Sequence, residues 1–283
     1  MKGNYILGDG MSGLIAKHYL PDYTIISKPL VDKPWFSLGP RYPYCSKPME
    51  KLLDELGLPT SRRLVRVGYY KNGEFVQPTK RDIRSYVVKT RMGFMGKGVM
   101  SMGKKRFHVY DVPVDVVEKK LRKGVRVRRD VVTNISERFV VGERRDYNYN
   151  NLIVTIPRPV FDYMCGYRDV NYKWNSVLFE WCRAWAHPMW DTEFDYVYVL
   201  GEDPVYRITK MEYPYVVEEK VDNTRTLRGP TEYWLEFGKV CNDFCEPVSP
   251  PGPSRVQFLG RFAEWKDWVK VHDVVRRCQK WKT

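Results

Sequence analysis

The first 28 residues constrain this chain more than any other part of it. Tyr5-Ile6-Leu7 is a short apolar run that leads directly into Gly8-Asp9-Gly10-Met11-Ser12-Gly13. A helix-patterned stretch, Leu14 to Leu20, comes next, then Pro21-Asp22 and a second apolar run, Tyr23 to Ser27. Strand, glycine-rich turn, helix and strand in that order predict a βαβ unit whose turn cradles a pyrophosphate. The first glycine permits the tight turn, the second lets backbone approach the phosphates, and the third lets the helix pack on the strand. Met11 and Ser12 add N–H donors at the positive end of the helix dipole. One element is missing. Dinucleotide folds usually end the second strand with an acid that holds the ribose hydroxyls, but this strand ends Ile26-Ser27-Lys28. Ser27 and Lys28 are therefore the expected neighbours of a ribose.

At 283 residues the chain suggests about two domains, and 43% hydrophobic with 14% aromatic residues excludes a mostly disordered protein. Its longest apolar runs, such as Tyr196 to Leu200, fall far short of the roughly 20 residues that span a bilayer. Met1-Lys2-Gly3-Asn4 runs straight into a strand, without the apolar stretch of a secretory leader. No membrane association is expected, and the expected location is the cytoplasm, the host's if the chain is viral. The six cysteines (45, 165, 182, 241, 245 and 278) form no Cys-x-x-Cys pair. Cys182, His187, Cys241 and Cys245 are the one grouping open to a metal reading, and their spacing matches no common zinc pattern, so no metal is expected.

Farther along, Lys47 to Leu56 has the spacing of an amphipathic helix, and Asn72-Gly73 between two strand-like runs predicts a hairpin. Val114 to Leu121 reads as a helix, followed by strands at Val125–Arg128, Val131–Ile135, Phe139–Val141 and Asn151–Thr155, the last stopped by Pro157 and Pro159. From Val177 onward a series of strand-like runs predicts a second, more antiparallel region. A tail strand, Val256 to Leu259, and a helix ending near Trp281 close the chain.

Four patches of this pattern resemble the flavoprotein superfamily of UDP-galactopyranose mutases, amine oxidases and protoporphyrinogen oxidases. They are ILGDGMSGLIA (6–16), VVTNI (131–135) with LIVTIPRPV (152–160), Tyr206-Arg207-Ile208-Thr209, and FLGRFAEWKDWVKVHDVV (258–275). The resemblance implies an α/β fold: a Rossmann-like FAD-binding domain of the glutathione-reductase type with a smaller, largely antiparallel α+β substrate domain. It places residues 1–60, 107–160 and 255–283 in the first and 61–106 and 161–254 in the second. It implies FAD as cofactor, held by Gly8, Gly10, Met11, Ser12, Gly13, Ser27, Lys28, Val132, Gly260 and Arg261. Val132 would meet the adenine end through its backbone. Arg261 would contact the pyrophosphate as a planar, charge-assisted donor, with the helix after it aimed at the flavin. Two departures set the chain apart from the mutases. Gly39-Pro40 is followed by Arg41 where they carry histidine, and Asp267 stands where they carry a tyrosine for the sugar-nucleotide diphosphate.

A formal net charge of +14, from 48 Lys+Arg against 34 Asp+Glu, points to polyanionic partners. Nine basic residues and one acid lie between Lys80 and Arg106, among them Lys80, Arg81, Arg84, Lys104, Lys105 and Arg106. Asp191 to Asp203 holds five acids and no base. The basic run reads either as a solvated face or as a track for a phosphate backbone such as DNA. Together these features favour an FAD-dependent oxidoreductase acting on an amine or amino-acid-like group, with a modified nucleobase in DNA as one such substrate. Arg41, Tyr44, Tyr206 and Arg207 are expected to line its substrate side. A divergent sugar-nucleotide mutase using reduced FAD is the second reading, and a non-catalytic flavin-fold nucleic-acid-binding protein the third. Oligomeric state is not legible in the sequence.

Overall fold

A computed structural model describes residues 2–29, 42–91, 105–167, 174–182, 192–210, 215–220, 231–240, 255–264 and 269–281. Before residue 62 come β1 (Gly3–Leu7), α1 (Met11–Tyr19), β2 (Thr24–Ser27) and α2 (Lys47–Glu55). The next stretch forms β3 (Arg62–Lys71), β4 (Glu74–Phe75), α3 (Lys80–Arg91) and β5 (Arg106–Tyr110). Then follow α4 (Val114–Arg122), β6 (Val127–Arg129), β7 (Val132–Ile135), β8 (Phe139–Gly142), β9 (Asp146–Val154) and α5 (Arg158–Met164). The last part holds β10 (Trp174–Cys182), β11 (Tyr196–Val199), β12 (Val205–Thr209), β13 (Tyr215–Lys220), β14 (Thr231–Val240), β15 (Val256–Phe258), α6 (Arg261–Glu264) and α7 (Val271–Trp281). These divide into two compact units: Met1–Arg62, Tyr110–Tyr172 and Phe244–Thr283 form the first, Arg63–Val109 and Lys173–Asp243 the second.

The first unit is built on parallel strands in the order β6-β2-β1-β9, with β15 beside β9. Parallel strands are covered on both faces, which is why the central ones carry consecutive apolar residues, Tyr5-Ile6-Leu7, Ile25-Ile26 and Leu152-Ile153-Val154. Alternation sends Ile6, Ile25 and Ile153 into one core with Leu14, Ile15, Leu52, Val117 and Val275, so α1, α2, α4 and α7 cover that face. Tyr5, Leu7, Ile26, Leu152 and Val154 point the other way, into a second core with Val140, Tyr147, Phe161 and Ala263. Each fully buried Ile or Leu contributes roughly 1.5–3 kcal/mol. The first half of β9 turns away to pair antiparallel with β8, and β8 with β7. That meander closes the second face.

The second unit is a sheet in the order β14-β10-β13-β12-β11-β3-β4, with β5 also on β3. It is antiparallel at β10–β14, β10–β13, β12–β13, β11–β12 and β3–β4, and parallel at β11–β3. The β3–β4 hairpin turns at Asn72 (φ 53°) and Gly73 (φ 93°), the two positive-φ positions that an Asn-Gly turn supplies.

Two helices run against the sequence expectation. Residues 80–91 read as a charge run but form α3, because Thr79 and Asp82 cap it reciprocally. The Asp82 N–H donates to Thr79 Oγ1 (3.1 Å) and the Thr79 N–H to Asp82 Oδ2 (2.9 Å). The strand before Pro157 and Pro159 does stop, at Val154, but the two prolines also open α5, a helix not expected there, where a missing N–H costs nothing. Among the described residues, no helix is long and apolar enough to cross a membrane.

Candidate dinucleotide site

The glycine-rich turn sits where β1 gives way to α1, at the carboxyl ends of the parallel strands. Gly8 has φ +105°, and a Cβ on it would lie 2.6 Å from Thr155 Oγ1. Thr155 follows β9 and donates to the Leu7 carbonyl (2.8 Å), tying the return strand to the turn. A Cβ on Gly13 would lie 2.0 Å from the Gly8 carbonyl oxygen, closer than any side chain permits. Gly10 is the reverse case: it is exposed, and a Cβ on it would meet nothing within 4 Å. The three glycines thus divide as the motif requires, two for packing and one for open approach. Gly10 caps α1 without a side-chain hydrogen bond, and no acid stands in the first turn. The N–H groups of Met11, Ser12 and Gly13 are left for an anion.

Gly260 is brought against this turn from the far end of the chain. It has φ +97°, and a Cβ on it would lie 2.5 Å from Ser12 Oγ. Its N–H donates to Glu264 Oε1 (3.0 Å), and the same oxygen pairs with Arg277 (2.7 Å). Buried Glu264, which the sequence reading did not single out, is what fixes this second turn. Arg261 opens α6 and donates from Nε to the Val269 carbonyl (3.3 Å). No continuous helix runs from it to Trp281: α6 (Arg261–Glu264) and α7 are separate, and residues 269 and 270 before α7 are not helical. Val132 turns its side chain into the core, so only its backbone is available to an adenine ring.

Beside the end of β2 the residue that matters most is Asp9, the variable position between the first two glycines. Its carboxylate is 7% exposed as a residue and fully engaged: Ser27 Oγ donates to Oδ1 (2.8 Å), and Arg122 and Arg129 each donate to Oδ2 (2.9 Å). Arg122 also holds the Asp9 carbonyl (2.8 Å) and Glu118 (2.9 Å). Burial raises the Asp9 pKa, but the hydrogen bonds from Ser27, Arg122 and Arg129 outweigh it and hold the group below the ordinary aspartate value. The Ser27 proton is therefore spent on Asp9. Lys28 is exposed, and its carbonyl accepts from Arg129 (3.2 Å).

Of the residues expected on the substrate side, Tyr44 lies half-buried in the first unit, just before α2. Tyr206 and Arg207 are neighbours on β12 in the second unit, where the pairing with β13 shifts register between Val205 and Arg207. Tyr206 is 1% exposed, with the Lys89 ammonium 5.6 Å from its ring centre, while Arg207 lies over the Tyr196 ring at 5.3 Å. Arg41, Lys104 and Asp267 lie outside the described residues, as do His187, Cys241 and Cys245. Lys80, Arg81, Arg84, Lys105 and Arg106 are all exposed. The acidic run meets other partners: Asp195 pairs with Arg63 (3.4 Å) and Glu193 with Arg66 (2.8 Å).

No protein-family model matches this sequence, and no curated protein matches it either. Solved structures do. A CLA-producing fatty acid isomerase from P. acnes superposes with TM-score 0.66 at 11% identity, over 99% of this chain and 97% of that one. A reduced UDP-galactopyranose mutase gives 0.61 at 12% identity, over 100% and 93%. Cyclohexylamine oxidase from Brevibacterium oxydans IH-35A gives 0.61 at 10%, over 99% and 98%. This chain has their fold. At such identities the likeness is one of fold, a Rossmann-like parallel sheet joined to a largely antiparallel unit. What the chain does must be argued from its own residues.

Proposed function

We propose that this chain is an FAD-dependent oxidoreductase. The observation that carries the reading is the meeting of three distant segments at one turn. Gly8, Gly10 and Gly13 shape it, Thr155 ties it to the return strand, and Gly260 packs on Ser12. These residues fit a dinucleotide pyrophosphate: open space stands over Gly10, uncapped N–H groups follow it, and Arg261 is next to the second turn. Met11, Ser12, Gly13 and Arg261 would hold the phosphates, the Val132 backbone the adenine, and the groups around Ser27 and Lys28 the ribose. Bound FAD would supply the hydride acceptor, and the protein's part is to orient the substrate and exclude competing reactions.

The finer reading is oxidation of an amine or amino-acid-like group, with a modified nucleobase in DNA as one such substrate. Fold likeness to cyclohexylamine oxidase supports the first half. The second half is supported by Lys80, Arg81, Arg84, Lys105 and Arg106, exposed and without an ion pair among the described residues. The alternative is an isomerase using reduced FAD. It is favoured by the fold likeness to a fatty acid isomerase and a UDP-galactopyranose mutase, and by Tyr206-Arg207-Ile208-Thr209.

An absorption spectrum of the purified protein tests the flavin, and its absence after reconstitution with FAD returns the chain to a non-catalytic binding role. Anaerobic mixing with amine substrates then separates the two enzymes. An oxidase bleaches its flavin without added reductant. A mutase needs prior reduction by dithionite and shows no net redox change; interconversion of UDP-galactopyranose and UDP-galactofuranose would reverse the order of these readings.

A further inference from the structure

One edge of the parallel sheet carries charge of a single sign. β6 ends the strand order, with β2 as its one partner among the described residues. From Lys119 in the last turn of α4 to Arg129 at the end of β6 the chain holds seven bases and no acid. Two of them are used inside the fold, Arg122 on Asp9 and Glu118, and Arg129 on Asp9. Lys119 lies 4.0 Å from Asp115. Lys120, Lys123, Arg126 and Arg128 are exposed and form no ion pair among the described residues. The segment that carries them is fixed. The Lys123 N–H donates to the Lys119 carbonyl (3.2 Å) and the Val125 N–H to the Arg122 carbonyl (3.1 Å), with Gly124 turning the chain at φ +77°. Val127, Arg128 and Arg129 are then held in register on Ile25, Ile26 and Ser27. The neighbouring turn, Glu143-Arg144-Arg145-Asp146, is balanced in charge and marks the limit of this ridge.

Two ordinary uses of cations account for part of the run. Cations in the last turn of a helix complement its dipole, and charge on a terminal strand deters pairing with another chain. Neither requires that acids be absent throughout. A face kept only for solubility mixes both signs, and like charges one turn apart, as at Lys119 and Lys123, repel. What a ridge of one sign gains is a field for an anion. Its charges are spread along the chain instead of converging on one point, which fits a polymer of phosphates rather than a single phosphate. The run holds no aromatic residue on which a base could stack, which fits the backbone rather than the bases. We propose that Lys120, Lys123, Arg126 and Arg128 form a docking ridge on the first unit for the phosphate backbone of duplex DNA, without base readout. The partner is that of the DNA reading of the substrate, but the ridge rests on neither the flavin nor the Lys80–Arg106 run.

Fluorescence anisotropy of a short labelled DNA duplex of mixed sequence, titrated with the full chain across a range of salt, tests it. The variant combines Lys120→Ala, Lys123→Ala and Arg126→Ala, all at exposed positions, and spares the arginines that hold Asp9. The expected result is a slope of log K against log salt flatter by up to about three units, with binding at low salt at least about tenfold weaker. A matched variant that keeps the charge, Lys120→Arg, Lys123→Arg and Arg126→Lys, should bind as wild type does. Flavin content should be unchanged in both. Absence of salt-dependent binding by wild type overturns the ridge, and so do an unchanged slope and affinity in the alanine variant. Equal loss in the charge-keeping variant marks a structural effect and overturns it too. Weaker binding of the alanine variant to phosphatidylserine vesicles, with no change on the duplex, assigns the ridge to an anionic membrane surface and overturns the proposal. A chain that takes up no FAD yet shows the flatter slope strikes the enzyme reading and leaves the ridge standing.

Discussion

Gly13 stands so close to Gly8 that a Cβ on it would lie 2.0 Å from the Gly8 carbonyl oxygen. The obstacle is backbone, which no rotamer change relieves. Gly13→Ala must therefore push α1 off β1, at a cost of roughly 3 kcal/mol or more. Gly10 faces open space, so Gly10→Val should melt within a few degrees of the flavin-free wild type yet purify without flavin. Thermal melts paired with the flavin absorbance ratio check both, and a full complement of flavin in Gly10→Val would falsify the proposed phosphate approach.

Removing the Asp9 carboxylate leaves Ser27 and two arginines without their shared acceptor. Asp9→Ala should lose about 2–3 kcal/mol, less than for a wholly buried pair because both arginines reach solvent. The pH dependence has a definite sign. A carboxylate held below its ordinary value binds fewer protons in the folded than the unfolded state, so its stabilisation is complete above about pH 4 and fades as pH falls through the folded value. Urea melts at pH 7 and pH 3 should show the gap between wild type and Asp9→Ala closing in acid.

Lys89 offers a test at the alkaline end. Its Nζ donates to the Val199 (3.0 Å) and Val205 (2.8 Å) carbonyls, and burial lowers its pKa to about 8 against the partial opposition of Asp203. A neutral amine still has two hydrogens for two carbonyls. Between about 8 and the ordinary lysine value the unfolded chain binds the extra proton, so this group's contribution to stability rises with pH. The stability of wild type relative to Lys89→Met should increase from pH 7.5 to pH 10. A difference that stays flat would show that the ammonium is not desolvated.

For the basic run, DNA affinity should fall steeply with salt if Lys80–Arg106 follows a phosphate backbone. Each phosphate neutralised contributes about −0.9 to the slope of log K against log salt on duplex DNA. Replacing Lys104, Lys105 and Arg106 together by Ala should flatten that slope by up to about three units and leave flavin content unchanged. Identical slopes for the two proteins would mark the run as a solvated face.

By itself the sequence determined the local pieces whose chemistry is carried by a few adjacent residues. Gly8, Gly10 and Gly13 between apolar runs specify the turn, since the conformations and close approaches it needs exclude other residues. Asn72-Gly73 specifies its hairpin for the same reason. Amphipathic spacing marked α2, whose buried face repeats at helical period, and α4 and the tail helix that ends near Trp281 were also legible as helices. Short-range signals were also available at Thr79-x-x-Asp82 and at Pro157, but charge and proline outweighed them in the reading, and α3 and α5 went unrecognised. Only the tertiary structure decided the partners that lie far apart in the chain. Gly260 meets Ser12, and Arg122 and Arg129 converge on Asp9 from more than a hundred residues away. No residue pattern encodes such meetings, because they depend on strand order and on where each helix ends over the sheet. The missing acid after β2 could be read from the sequence. That its place is taken by fixed arginines could not.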